Sequence, residues 1–576
     1  MNNAIPNHHM AWASQPNQLP PSLSGPLSSV SGFQPDNPSG SSNPRFAIGL
    51  DLGTTFSGGT VKASKPGFRH TPYYWIEGNA EAGSADAFGP GPKAPTRLAL
   101  YPPSQGASEP HRWGYQVSDD EESFRWFKLG LVHEDELHED LQGATELDEA
   151  RALRSQHKAK VSELVEIYMR KLWGHTVQQI ASQHHMTGDQ VVQAEIHVVL
   201  GVPANWKSGT RLSLLKAARA AGIPGQHPLS TVETYIEPEA ATIALVEHGA
   251  VPADLTSGDI ITICDCGGGK SDAISFEIQP TQPFVLDGCV PAEARFCGSV
   301  QLESLFMQRL KSKIQALADP DKAATLSFRD IRPLFHRLWE LGIKRQFDGS
   351  SRDWSEVIPD YLLRNGNRRI TRRSANRTAA ATVTFTGSEA GELFDLTIRK
   401  IIGLVGDQVR AVWEKKKRLP KFVIVCGGFS QNLYLRTKLA EEIDSLNAEY
   451  KHKHPSGTIR REVAEPLYVE QAVSTGCAMQ AFEHHIEKFE IQPGPSVRIA
   501  SRIAGSSYGI ATQQGFRQFV TQGDSLPVAQ PKFIELQLPD FVLVSGWGEL
   551  TSVSLVIVRG QATQLVPSAR GRESAK

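Results

Sequence analysis

No stretch of this chain approaches the roughly 18 consecutive apolar residues that a membrane-spanning helix needs, so no membrane role is expected. A surplus of charge is lacking too, because 60 Lys and Arg stand against 62 Asp and Glu. Without excess cations there is no field to gather nucleic acid or acidic lipid, and any anion site must be built locally. Cysteine is sparse. Its six copies, at 264, 266, 289, 297, 426 and 477, include no CxxC pair of zinc-like spacing and sit mostly in apolar strand-like sequence. That usage points to reduced, buried thiols and a cytoplasmic setting. Residues 1–44 lack both the basic start and the apolar middle of a secretory signal. Rich in Ser, Pro, Asn and Gly, they read as a disordered arm.

What is present is length and alternation. A chain of 576 residues, 40% hydrophobic, is long enough for one large two-lobed unit. From Phe46 onward strand-like and helix-like segments alternate, which predicts an α/β fold. Residues 196–200 (IHVVL) and 231–236 read as strands, and 208–221 has helical spacing up to Gly222. Glu237-Pro238-Glu239 has the acid and early proline of a helix start. The second half repeats the grammar, with strands around Asp265, a helix from 299 to about 318, and a strand at 422–425 that Gly427-Gly428 breaks before another helix. Repetition on either side of residue 258 predicts an internal duplication.

Residues 348–376 are polar and arginine-rich and are expected to form a peripheral insertion. After 492 the texture becomes β-rich, with a tail that frays beyond Arg559. The basic run Lys415-Lys416-Lys417-Arg418 ends a predicted helix, where cations suit the helix dipole. His184-His185 and His484-His485 lack companion ligands, so they imply no metal.

Two segments look like copies of one device. Residues 48–57 (IGLDLGTTFS) and 261–270 (ITICDCGGGK) each run an apolar strand into an aspartate and then a glycine-bearing turn. Facing each other, two such turns would present backbone N–H groups to a chain of phosphates, with Asp51 and Asp265 placed to hold a divalent cation. GGGKS also imitates the tail of a P-loop. However, the earlier glycine that GxxxxGK[ST] requires falls on Cys264, and Asp272 leads into strand-like sequence rather than a helix.

Taken with LGVPANW (200–206), IEPEAATIALVEHG (236–249), CDCGGGKSDAIS (264–275), VIVCGGFSQN (423–432) and VEQAVSTGCAMQAF (469–482), these segments resemble the actin-like ATPase superfamily. Within it, residues 45–487 are similar to the nucleotide-binding domain of the heat-shock protein 70 family. The resemblance implies two duplicated ribonuclease H-like lobes, 45–257 and 258–491, around a cleft for ATP or ADP and Mg2+. It also implies a helix near 468–487 returning to the first lobe. Residues 492–576 form a short β-rich segment, far smaller than the family's usual substrate-binding part, so ordinary chaperone activity is not expected. That segment or the lobe surfaces could hold a protein partner.

The same resemblance places phosphate contacts at Gly53, Thr54, Thr55 and Phe56, and at Gly267, Gly268, Gly269 and Lys270. Asp51 and Asp265 would hold the hydrated magnesium ion through water. Lys128 and Glu237 resemble the catalytic lysine and the water-orienting glutamate, although Lys128 on its own reads equally as a surface lysine. Gly427, Gly428, Phe429 and Ser430 would meet the nucleoside, with Phe429 either stacking on the base or packing inward. Lys344 fits the basic end of an adenosine-binding helix, while Glu340 lies one position out of register. Lys270 stands where relatives carry threonine, and either adds a cation or fills phosphate space. The expectation is a slow Mg-dependent ATPase whose lobes close on nucleotide. A non-hydrolysing sensor or scaffold is the alternative, and a carbohydrate kinase of the same superfamily a further one.

Overall fold

Two mixed sheets repeat one strand order. In the first, Arg45–Asp51 pairs antiparallel with Phe56–Ser64, which pairs with Tyr74–Ile76. On its other side lie Ile196–Val202 and then Thr231–Ile236, both parallel. In the second, Ile260–Cys266 pairs antiparallel with Ser271–Ile278, which pairs with Phe284–Gly288. Its other flank carries Phe422–Cys426 and Arg460–Val463, again parallel. Each sheet therefore reads third, second, first, fourth, fifth along its own chain order. The architecture is mixed α/β, and the strand order of one sheet recurs in the other.

The computed structural model describes residues 44–567 except 65–73, 77–92, 101–110, 119–120, 134–144, 248–253, 281–283, 365–380, 454–457, 464–468, 487–496, 504–507, 513–514, 521–524, 528–531, 538–551 and 559–560. The arm up to residue 43, residues 365–376 of the expected insertion, and the ends of the return helix at 468 and 487 fall outside the described residues.

The central strands are buried along their whole length, as Ile196–Val202 and Ile260–Cys266 show. That burial explains their continuous apolar runs, since both faces of a parallel neighbour are covered. Helices Glu237–Glu247 and Ala472–Ala481 share one hydrophobic cluster with Ala47 and Val199 of the first sheet and with Ile261, Ile263 and Phe422 of the second. The return helix packs this closely because it carries glycine. A Cβ at Gly476 would lie 1.8 Å from the carbonyl oxygen of Ala240. Gly476→Ala should therefore cost about 3 kcal/mol or more through overpacking, read as a lower denaturation midpoint. An unchanged midpoint would show that the two helices can part freely.

Two expectations need correction. The stretch from 348 is not peripheral where it is described, because Trp354, Ile358, Leu362 and Leu363 are buried in the core of the second half. Strand Trp354–Val357 pairs with Thr382–Phe385. Charged neighbours hid these few apolar residues, which all turn inward. The chain beyond Arg559 is not frayed as far as it is described, since Gln561–Pro567 pairs antiparallel with Ser552–Val558. Within the stretch after 492 that reads as β-rich, Val497–Ile503 extends the second sheet in parallel with Phe284–Gly288. Arg502 of that strand forms an ion pair with the buried Glu239. All six cysteines are free and buried. No helix among the described residues is long and apolar enough to cross a membrane.

Candidate functional site

The first strand of each sheet ends at or beside its aspartate, Asp51 opposite Gly58 and Asp265 opposite Asp272. Each then makes a tight reversal, over residues 52–55 and 267–270. The second is closed by Gly267 N–H donating to the Lys270 carbonyl at 3.0 Å. These two turns meet. A Cβ placed on Gly268 would lie 2.3 Å from Thr55 Oγ1, and one on Gly269 would lie 2.8 Å from Thr54 Oγ1. Glycine is required at both points because the opposing threonines occupy the space a side chain would need.

The turns floor a cleft of about 820 Å³, well within the range of small-molecule sites. Of the residues expected at the site, all but Ser430 line it. Ser430 is fully buried beneath it, its N–H donating to the Gly427 carbonyl at 3.1 Å. Gly427 lies in the left-handed region, with φ of +83°, and a Cβ there would strike Asp265 Oδ1 at 2.3 Å. Gly428 has open space beside it. Phe429 is buried and belongs to the apolar core of the second half while reaching the cleft wall.

Lys128 is not a surface lysine. It is buried, and its Nζ donates to Glu237 Oε1 at 2.8 Å, with the Trp206 ring 5.3 Å away. The bend that delivers it, residues 124–131, is a short strand running into a 3-10 turn. Glu237 begins its helix directly after strand Thr231–Ile236, so the carboxylate is fixed at the sheet's edge.

Lys344 also lines the cleft, and its ammonium lies 2.7 Å from Glu303 and 3.0 Å from Glu340. Burial alone would lower its pKa, but the two carboxylates outweigh that and hold it above its ordinary value. Glu340 and Lys344, four residues apart, share one face at the end of a π-helical stretch, His336–Ile343.

The acids of the crevice act on one another. The Asp265 carboxyl is pushed up to about 7 by burial first, and then by the Asp272, Glu237 and Asp51 carboxylates, against the pull of Lys93. Lys93 was not legible as a site residue. Its ammonium lies 2.6 Å from Asp51 Oδ2. Burial works to lower its pKa, yet Asp51, with Asp265 and Glu470, holds it above the usual lysine value. Lys270 makes a further such pair, 2.6 Å from Asp272. Asp272 could have been found from the sequence, because it occupies the hairpin position opposite Asp265. Lys93 could not, since it is a lone cation in a Gly- and Pro-rich stretch.

The donor set can be tested against the expected magnesium ion. Magnesium takes octahedral oxygen ligands at about 2.0–2.1 Å and keeps several waters. Asp51 is engaged by an ammonium, Asp272 by another, and Glu237 by a third. Among the described residues no group of three or more His, Cys, Asp and Glu is arranged to hold a metal ion. Three of the carboxylates lining the cleft are thus each paired with an ammonium of the chain. Comparison with protein-family models gives no match, and comparison with curated proteins gives none either.

Proposed function

We propose that this chain binds a nucleoside triphosphate, ATP in the first instance, as a heat-shock protein 70-like member of the actin-like ATPase superfamily that hydrolyses it slowly. The observation that supports this reading is the meeting of two glycine turns, Gly268 and Gly269 against Thr55 and Thr54, on the floor of one cleft. Turns of this kind expose backbone N–H groups and threonine hydroxyls that suit phosphate oxygens. The repeated sheet order on both sides of that cleft agrees with the superfamily's duplicated lobes.

In this reading the terminal phosphoryl group lies toward Lys128 and Glu237. Glu237 orients a water molecule and accepts its proton as the water oxygen bonds to the γ-phosphorus. The bond from that phosphorus to the bridging oxygen breaks, and ADP departs with the bonding pair. Lys128 balances the negative charge spread over the phosphoryl oxygens, the main demand that such a reaction places on a protein. Gly427 and Gly428 leave room for the nucleoside. The return helix and helix Glu237–Glu247, held between the two sheets, are the elements about which closure would turn. A second reading, binding without turnover, is favoured by Lys270, whose ion pair with Asp272 stands beside the phosphate turn.

A thermal-shift panel of ATP, ADP, GTP and sugars tests the binding. At a hundredfold excess over its dissociation constant, ATP should stabilise the chain by about 2.7 kcal/mol, with no comparable effect from sugars. No shift with any nucleotide would end the reading. Single-turnover assay with labelled ATP then separates the two versions: bound ATP that never yields phosphate favours the sensor.

A further inference from the structure

We infer that Lys93 is a built-in counter-cation of this cleft, so that a nucleoside triphosphate binds here without a divalent metal ion. The inference rests on the nucleotide reading and deepens it.

Lys93 is held in place by its neighbours rather than by its own flexible stem. The two residues after it, Ala94–Pro95, form a strand paired with Phe56 and Ser57, immediately past the first turn. Thr96 N–H donates to the Thr55 carbonyl at 2.7 Å, and the Thr96 and Ser57 hydroxyls lie 2.8 Å apart. The buried Tyr168 hydroxyl donates to the Pro95 carbonyl at 3.0 Å. The ammonium is thereby delivered to Asp51 by a strand hydrogen-bonded to the backbone that leaves the first turn.

Its position is the decisive point. Lys93 bonds to Asp51 and acts electrostatically on Asp265, the two carboxylates that a hydrated ion between the hairpins would have to use. The ammonium takes up Asp51 Oδ2 and offsets the negative charge that would otherwise draw a hydrated cation to that carboxylate. Lysine has three donors and no acceptor. With one proton given to Asp51, the others remain available to phosphate oxygens, for which a fixed ammonium is a suitable partner. Lys128 and Lys270, each already beside its own carboxylate, complete a set of cations that belongs to the chain.

The test is calorimetric titration of the full-length protein with ATP, in EDTA and in excess Mg2+, for the wild type, Lys93→Met and Lys93→Arg. The wild type should bind in EDTA within about threefold of its affinity in Mg2+. Lys93→Met should lose about tenfold or more in EDTA, the scale of one charge-assisted hydrogen bond, and Lys93→Arg should retain most of the affinity. Wild-type binding that is tight in Mg2+ and lost in EDTA overturns the inference and leaves the nucleotide reading intact. Equal binding by Lys93→Met and wild type in EDTA also overturns it. No binding in either condition overturns both. Should Lys93→Met fail to fold, the wild-type comparison and Lys93→Arg still decide.

Discussion

Lys128→Met is expected to lower the rate of ATP hydrolysis by on the order of 10² to 10³-fold, the usual effect of removing one preorganised charge from a reacting centre. Glu237→Gln should fall by a similar factor, as loss of a positioned proton acceptor does. The pair is buried and in contact, so the two effects should be strongly non-additive, with the double variant little worse than either single one. Contact also creates a stability signature. Removing one partner of a buried ion pair strands the other and costs about 3–5 kcal/mol, whereas replacing both with neutral groups can be close to neutral. Lys128→Met/Glu237→Gln should thus melt near the wild type while each single variant melts lower. Phosphate release by Lys128→Met at the wild-type rate would remove Lys128 from the chemistry and leave it a structural ion pair.

Asp265→Asn is expected to stabilise the protein at alkaline pH and to leave it unchanged in acid. The carboxyl has a folded pKa of about 7, raised from 3.8 in the unfolded chain. Below pH 4 both states are protonated, and the residue brings no penalty. Between pH 4 and 7 the unfolded chain releases the proton first while the folded state retains it, so stability falls as pH rises. Above 7 both are ionised and the penalty is constant, up to about 4 kcal/mol for a shift of roughly three units. Asparagine has nothing to titrate. Thermal midpoints of the two proteins should coincide near pH 4 and separate by pH 8, with Asp265→Asn higher. A wild type as stable as the variant at pH 8 would mean that Asp265 ionises without cost. Such a penalty is what a functional carboxylate held among other acids is expected to carry.

The hairpins were legible because each is written in one contiguous stretch: an apolar strand, an aspartate, and glycines where the backbone must turn and be approached closely. The strands at 196–200, 231–236 and 422–425, the helix from Ser299 and the helix start at Glu237 were legible for the same reason. Lys128 was ambiguous in sequence, because its neighbours do not reveal whether it faces water or a carboxylate more than a hundred residues away. The stretch after 348 misled, because composition records that charges outnumber apolar residues and not that Trp354, Ile358 and Leu362 all point inward.

By itself the sequence determined the α/β alternation and the two acid-tipped glycine turns. Each of these follows from periodicity and from backbone conformations that only certain residues adopt. Tertiary structure alone decided the electrostatics of the cleft: that Lys93 meets Asp51, that Lys128 meets Glu237, and that burial together with three neighbouring carboxylates raises the pKa of Asp265. Ionic partnership depends on distance in space, and distance between residues far apart in the chain is set only when the two sheets pack around the same pair of helices.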